Sequence, residues 1–249
     1  MEFLGSNSKI QGLNSSNSKK IFEKIKDITS SFKTNLDLID TSLDFVLNDF
    51  YAFNLLSKKD IDLLKKIEKY EIQKILLSSE MFANLLSEEE LINYSNSKSM
   101  EVRAICMENK IFGKKLPLNN LINILNDEPE VISSIASNEE IISRLDPENV
   151  EKIAAREENY IKRAIISNKK APEKLSDVTL YKLLKDDEPL VRISATNNEH
   201  VLERVEKLKL IELLKNENDN RARKGLQSFL NFKYLKRTDK NNNKLLNII

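Results

Sequence analysis

The chain contains an internal repeat of about 30 residues, and this feature constrains its fold more than any other. An apolar anchor column recurs every 29 or 30 residues, at Ile72, Val102, Val131, Ile161 and Val191. A second column lies four residues later, at Leu76, Cys106, Ile135, Ile165 and Ala195. A third lies seven residues after the anchor, at Ser79, Asn109, Asn138, Asn168 and Asn198. Steps of four and seven residues are about one and two helical turns, so the three columns share one helix face.

Each copy divides into a helix, an acidic turn, the anchor helix and a short apolar segment. The acidic turns at residues 127–130 and 187–190 contain Pro129 and Pro189, which suit the first turn of the following helix. Acidic side chains also favour the positive end of that helix. The short segment after the Asn column is expected to form a third helix or a single 3₁₀ turn. A degenerate sixth copy follows around Arg221 and Ala222.

The composition agrees with an all-α fold. The 249 residues include only four Gly and five Pro, whereas sheet proteins need many such turn residues. We predict four regions: a flexible leader at 1–18, an N-terminal helical cap at 19–60, the repeats at 61–235, and a basic polar tail at 236–249.

One copy carries the repeat pattern most clearly. Residues 183–192 contain an Asp, a Pro and a Val-Arg pair in that order, and Asn198 follows. This pattern resembles the HEAT-like and leucine-rich-variant repeat families of α-solenoids over roughly residues 61–232. The resemblance implies a right-handed solenoid of about six repeats that presents a surface rather than a catalytic pocket. The Arg of the pattern recurs at Arg103 and Arg192 and is replaced by Lys162 in another copy.

The sequence argues against disulfides, metal centres and nucleotide-binding loops. Cys106 is the only cysteine and His200 the only histidine, so neither an intramolecular disulfide nor a usual metal centre is expected. We expect Cys106 in the core and His200 on a loop after Asn198. Four glycines cannot supply a dinucleotide-binding or phosphate-binding loop, and no cofactor is predicted.

The chain also lacks an obvious cellular address. No segment has the length of apolar sequence needed to cross a membrane, about 18 residues or more. The first ten residues lack the apolar core of a secretory signal, and we therefore expect a cytoplasmic protein. A net charge of +1 means that binding to nucleic acid would depend on local charge asymmetry.

Two groups of basic residues are candidates for binding a partner. The first lies beside the anchor column: Lys74, Arg103, Lys162, Arg163, Arg192 and Arg223. The second lies near the C-terminus, interleaved with Phe229, Phe232 and Tyr234, and contains Lys224, Lys233, Lys236 and Arg237. Structural roles compete with these assignments, because the arginines could pair with the acidic turns and the basic region could be a solvated cap. The Asn column is expected to end helices, with its amides bonded to neighbouring backbone carbonyls, because Asn tolerates the left-handed conformation found at helix ends.

Three functions follow as hypotheses. The first is a non-enzymatic scaffold whose repeat surface binds a protein. The second is a nucleic-acid-binding protein that uses the same basic positions. The third is an enzyme similar to the compact bacterial HEAT-like DNA glycosylases, which hold a damaged nucleotide with aromatic side chains, including Trp, beside a carboxylate. This chain contains no Trp.

Overall fold

The computed structural model describes residues 58–66 and 70–235. Throughout this part of the chain the regular structure is helical, and no strand occurs in it. The predicted all-α repeat fold is confirmed. The leader, most of the N-terminal cap and the C-terminal tail, predicted at 1–18, 19–60 and 236–249, lie outside the described residues. The chain divides into two compact units, with the boundary after Lys115.

The N-terminal unit contains two anchor helices, α2 and α5. Its described helices are α1 (Lys58–Leu64), α2 (Tyr70–Ser78), α3 (Glu80–Asn84), α4 (Glu88–Ser95), α5 (Met100–Glu108) and α6 (Lys110–Lys115). Helix α2 packs on α5, α4 packs on α5, and the short helices α3 and α6 contact each other. The order of a first helix, an anchor helix and a short helix is therefore the one that the repeat predicts.

The C-terminal unit repeats this order. Its helices are α7 (Leu118–Ile124), α8 (Pro129–Ser137), α9 (Glu139–Arg144), α10 (Pro147–Ala154), α11 (Asn159–Ser167), α12 (Asp177–Leu184), α13 (Pro189–Asn197), α14 (Glu199–Arg204), α15 (Lys207–Asn216) and α16 (Asn220–Leu230). A 3₁₀ turn (Ala171–Glu173) replaces one short helix, and a π-helical turn (Asn231–Leu235) follows α16. The anchor helices α8, α11, α13 and α16 stack in this order, each on the next.

The helix ends follow from residues that are visible in the sequence. Pro129 and Pro189 occupy the first turns of α8 and α13, as predicted. The Ser87 side chain caps α4. The carboxylate of Glu90 accepts a hydrogen bond from the Ser87 backbone N–H, which completes a capping box. Asp146 and Ser176 accept hydrogen bonds from the first turns of α10 and α12.

The core is formed by the two apolar columns that define the repeat. The five anchors are at most 2% exposed, and the residues four positions later are at most 1% exposed. In the sixth copy, Ala222, Leu226 and Leu230 are buried in the same register. The short apolar segments also contribute, with Ile141, Ile142, Val201 and Leu202 at most 1% exposed. Stacked neighbours therefore bury a stripe that one helix pair would leave in water.

Candidate functional site

The anchor helices of the C-terminal unit bury one side and present the other. Three positions relative to each anchor form the presented side: the residue before it, the residue two later and the residue six later. We call this surface the anchor-helix face. It consists of Glu130, Ser133, Ser137, Tyr160, Arg163, Ser167, Leu190, Ile193, Asn197, Arg221, Lys224 and Ser228, all exposed or half-buried.

The chemistry of the anchor-helix face changes from one helix to the next. The position before the anchor is Glu130 on α8, Tyr160 on α11, Leu190 on α13 and Arg221 on α16. Tyr160 is 43% exposed and Leu190 is 37% exposed. At this position the face is therefore acidic on α8, apolar on α11 and α13, which we call its apolar centre, and basic on α16.

The charge of Glu130 acts on Tyr160. Partial desolvation raises the pKa of the Tyr160 hydroxyl, and the negative charges of Glu130 and Glu158 raise it further. The charge of Glu130 on α8 therefore acts on the Tyr160 hydroxyl of α11, the helix packed against it.

Two grooves cross the anchor-helix face. The first lies between α11 and α13 and is lined by Ser167, Lys169, Ser194, Asn197, Asn198, Glu199 and His200. The second lies between α13 and α16 and is lined by Thr196, Asn197, Glu199, Leu202, Arg221, Lys224, Gly225, Ser228, Phe229 and Phe232. Asn197 and Glu199 line both grooves, which makes the grooves adjacent.

Four of the predicted binding residues make hydrogen bonds within the stack. Arg103, Arg192 and Arg223 each donate to the backbone carbonyl six residues earlier, on Ser97, Asp186 and Glu217 respectively. Lys162 pairs with Asp186 in the acidic turn of the next repeat, with 3.0 Å between Nζ and Oδ2. Each of these four residues directly follows an anchor residue. Their hydrogen bonds connect the anchor helix to the turn before it or to the acidic turn of the next repeat.

Arg192 makes the strongest of these links. Its Nε and Nη2 each lie 2.9 Å from a carboxylate oxygen of Glu217, whose side chain is 5% exposed. Burial alone would raise the pKa of Glu217. Hydrogen bonds from Arg192 and from the Asp219 N–H outweigh burial, so the pKa lies below its ordinary value of 4.5. The expected pairing of Arg192 with the acidic turn of the next repeat is thus present.

The other predicted binding residues are found in three different surroundings. Lys74, Arg163 and Lys224 lie two residues after their anchors and are exposed. Lys233 lies near the rings of Phe229 and Tyr234, 5.1 and 6.0 Å from their centroids. Lys236 and Arg237 lie outside the described residues. Arg163 and Lys224 are therefore the predicted residues that the structure places on the anchor-helix face.

The Asn column has a structural role, but with a different backbone from the one expected. Asn109, Asn168 and Asn198 donate from Nδ2 to carbonyls 32 residues earlier, on Leu77, Ala136 and Ile166. Each Oδ1 accepts from the N–H two residues later. The backbone is extended, with ψ between 104° and 130°, and not left-handed. One amide therefore caps the next helix and ties two repeats together.

A column of basic residues in the short segments escaped the sequence analysis. Lys115, Arg144, Lys174 and Arg204 donate to backbone carbonyls of the preceding repeat, on Asn84, Leu116, Ser143 and Leu175 respectively, at distances of 2.7 or 2.8 Å. Their spacing of 29 or 30 residues was a signal that could have revealed them. These side chains satisfy carbonyls at the ends of short helices and turns.

The sulfur and imidazole groups have ordinary surroundings. Cys106 is fully buried, as predicted, and burial raises the pKa of its thiol. His200 lies in the first turn of α14 and not on a loop. Its backbone N–H donates a hydrogen bond to the Asn198 Oδ1. Among residues 58–66 and 70–235, no cluster of His, Cys, Asp and Glu is suited to a metal ion. Within the same ranges, no helix is long and apolar enough to span a membrane.

Comparison with known proteins gives likenesses among solved structures. No family model matches the chain, and no curated protein matches it. A solved structure described as a leucine-rich repeat variant with a novel repetitive protein structural motif is similar at a TM-score of 0.36 and 15% identity. The match covers 77% of this chain and 81% of that one.

Proposed function

We propose that this chain is a non-enzymatic binding protein that engages a protein partner through the anchor-helix face. The observation that carries the proposal is the apolar centre of that face. Tyr160 and Leu190 are exposed on neighbouring helices, and half-buried Ile193 lies one turn from Leu190. Single exposed apolar residues are ordinary, but a contiguous group of them marks an interaction site.

The neighbours of the apolar centre also suit a protein interface. Arg163 is exposed beside Tyr160 and makes no ion pair within residues 58–66 and 70–235. Tyr and Arg are enriched at the centres of protein interfaces, where a few such side chains carry most of the binding energy. The serines and Asn197 around them form the polar rim that surrounds such a centre.

The stack itself uses much of its basic charge, which favours a protein over a nucleic acid as the partner. The residues directly after the anchors and the basic column of the short segments bind carbonyls and carboxylates of the same chain. A phosphate backbone needs several free cations along its path.

A pull-down with the tagged full-length chain from its native host tests the proposal. The expected result is a protein that remains bound after nuclease treatment and at moderate salt. The double variant Tyr160→Ala/Leu190→Ser should lose this protein, because the apolar centre is removed. The control Val178→Ser/Leu208→Ser changes residues that are 78% exposed on α12 and α15, and should retain it. Equal retention by both variants would contradict the proposal.

One cluster favours nucleic acid as a second candidate. At the end of the described chain, the Lys207 ammonium lies 4.6 Å from the ring of Tyr234, and Lys233 lies near Phe229. Basic groups beside aromatic rings suit single-stranded nucleic acid. Binding that falls steeply between about 50 and 200 mM salt would support this candidate. Release of alkylated bases from duplex DNA would instead indicate an enzyme.

A further inference from the structure

We propose that the partner contributes an acidic peptide segment with an apolar residue beside it, and that the acidic group lies against Arg221 and Lys224. The site is the groove between α13 and α16. This inference rests on the proposed function and specifies the chemistry of the partner.

Gly225 lines the groove at a close approach of its two helices. A Cβ atom on Gly225 would lie 2.9 Å from the carbonyl oxygen of Thr196 and 3.0 Å from its hydroxyl oxygen. Helix α16 therefore approaches α13 more closely than any other residue would allow. The side chains of Arg221 and Ser228, one turn to either side of Gly225, and of its neighbour Lys224 border the groove.

Charge complementarity selects an acidic occupant. Arg221 and Lys224 are both exposed at the groove, and no carboxylate within residues 58–66 and 70–235 pairs with Lys224. Arg221 has Asp219 at 3.3 Å, and its side chain is 67% exposed, so most of its donors remain in water. Glu199 is the one acidic residue that lines the groove.

The groove also offers an apolar surface next to the two cations. Leu202, Phe229 and Phe232 line it, and 68% of the surface of Phe232 is exposed. An aliphatic or aromatic side chain of the partner would cover these rings. A carboxylate or phosphate without an apolar neighbour would leave them in water, which is why a peptide segment fits better than a free anion.

The order of rows on the anchor-helix face also gives the partner a direction. Stacked helices lie about 8–10 Å apart, so four rows span roughly 30 Å. An extended segment of about nine residues covers this length. Its acidic end would lie over Arg221 and Lys224, its apolar centre over Leu190 and Tyr160, and its other end over Glu130. Glu130 would repel the phosphates of a nucleic acid that followed the same path.

Selection from a random 12-residue peptide display library on the full-length chain tests this inference. We expect selected peptides to carry Asp or Glu at one end and apolar residues in the centre. With Arg221→Glu/Lys224→Glu as the target, the selected end should change to Lys or Arg, because the charge at the groove is reversed. The matched control Lys182→Glu/Lys215→Glu has the same change in net charge on α12 and α15 and should select the original class.

Fluorescence polarisation with one selected acidic peptide then measures the contributions. Arg221→Glu/Lys224→Glu should weaken binding by about tenfold or more, and Glu199→Gln should strengthen it by about twofold to threefold. Unchanged thermal unfolding of the variants would show that they fold. Peptides without acidic enrichment, a failure to select any peptide, equal binding of the reversed sequence, or tighter binding of a 12-nucleotide strand would each overturn the inference.

These outcomes separate the inference from the proposed function. If Tyr160→Ala/Leu190→Ser loses the captured protein but the charge reversal does not, the anchor-helix face binds a protein and the groove is not its acidic subsite. If neither variant affects capture, both proposals are wrong.

Discussion

At the scale of single residues, the amide of Asn168 shows how one side chain serves two repeats. Its Oδ1 accepts from the Lys170 N–H at 2.8 Å, and its Nδ2 donates to the Ala136 carbonyl at 2.9 Å. The residue is 4% exposed, so water cannot replace either bond. The sequence indicated a helix end at this column. The bond to the preceding repeat depends on stacking, which no local pattern specifies.

We predict that Asn168→Ala lowers the free energy of unfolding by about 2–3 kcal/mol, because a cap and a buried carbonyl's partner are both lost. Asn168→Ser should cost less, about 1–2 kcal/mol, because a hydroxyl can still cap the next turn. Urea unfolding measures both values. The control is Asn197→Ala, a change at the exposed position next to the equivalent Asn198 of the following repeat, which should stay within about 0.5 kcal/mol. An equally large effect at position 197 would contradict the assignment.

The sequence alone does not show why residue 225 has to be a glycine. In a helix, Gly→Ala ordinarily stabilises by about 0.5–1 kcal/mol. Here the new methyl group would lie 2.9 Å from the Thr196 carbonyl, and backbone cannot move aside as a flexible side chain can. We predict that Gly225→Ala destabilises by about 1–3 kcal/mol in thermal or urea unfolding. Ser228→Ala, an exposed change in the same helix, provides the comparison, and a stabilising Gly225→Ala would show that α16 shifts freely.

At the scale of secondary-structure elements, the residue after the anchor of α13 connects that helix to two acidic turns. Arg192 donates to the Asp186 carbonyl before its own helix and to the Glu217 carboxylate of the next repeat. Lys162 makes the equivalent ion pair to Asp186. On α8 the same position is Ile132, which is 1% exposed, so an apolar contact replaces the polar one. Pairing of the arginines with acidic turns is visible in the sequence as an alternative role, whereas the geometry of the pairs depends on the stacked helices.

The Arg192–Glu217 pair makes part of the stability depend on pH. The folded pKa of Glu217 is lowered below 4.5. Its contribution is therefore present above the unfolded pKa and is lost as pH falls through the lower folded value. We predict that Glu217→Gln reduces the free energy of unfolding by about 2 kcal/mol at pH 7, because Arg192 loses its buried partner. At pH 3 the difference from the unchanged chain should be smaller. A difference that grows on acidification would contradict this prediction.

At the scale of the whole molecule, the repeat period was sufficient to predict the fold class. It located the six anchor helices found among the described residues, their buried columns and the Pro-initiated turns. The candidate site was predicted less well. Basic residues beside the anchor were predicted from their charge alone. Whether such a residue bonds within the stack or is exposed depends on whether it lies one or two residues after the anchor. Arg192 binds Glu217, whereas Arg163 is exposed.

The stacking order also predicts how instability spreads. In repeat proteins each unit contacts its neighbours, so a local defect weakens adjacent repeats first. Helix α11 packs between α8 and α13, whereas α16 packs on α13. Ile165→Ala removes a fully buried side chain of α11, at a cost of about 2–5 kcal/mol. We predict faster amide hydrogen exchange in α8, α11 and α13, with a smaller change in α16.

The same kind of substitution at the end of the stack should give a different pattern of exchange. Leu226→Ala opens a similar cavity in α16, where the residue is 1% exposed, and should accelerate exchange in α13 and α16 while leaving α8 protected. Exchange that rises equally in all four anchor helices with either variant would mean that the C-terminal unit opens as one cooperative block. Nearest-neighbour coupling would then be wrong. A graded response would instead let a partner bound at α13 and α16 stabilise that end without ordering the rest, because binding stabilises only the elements it contacts and those coupled to them.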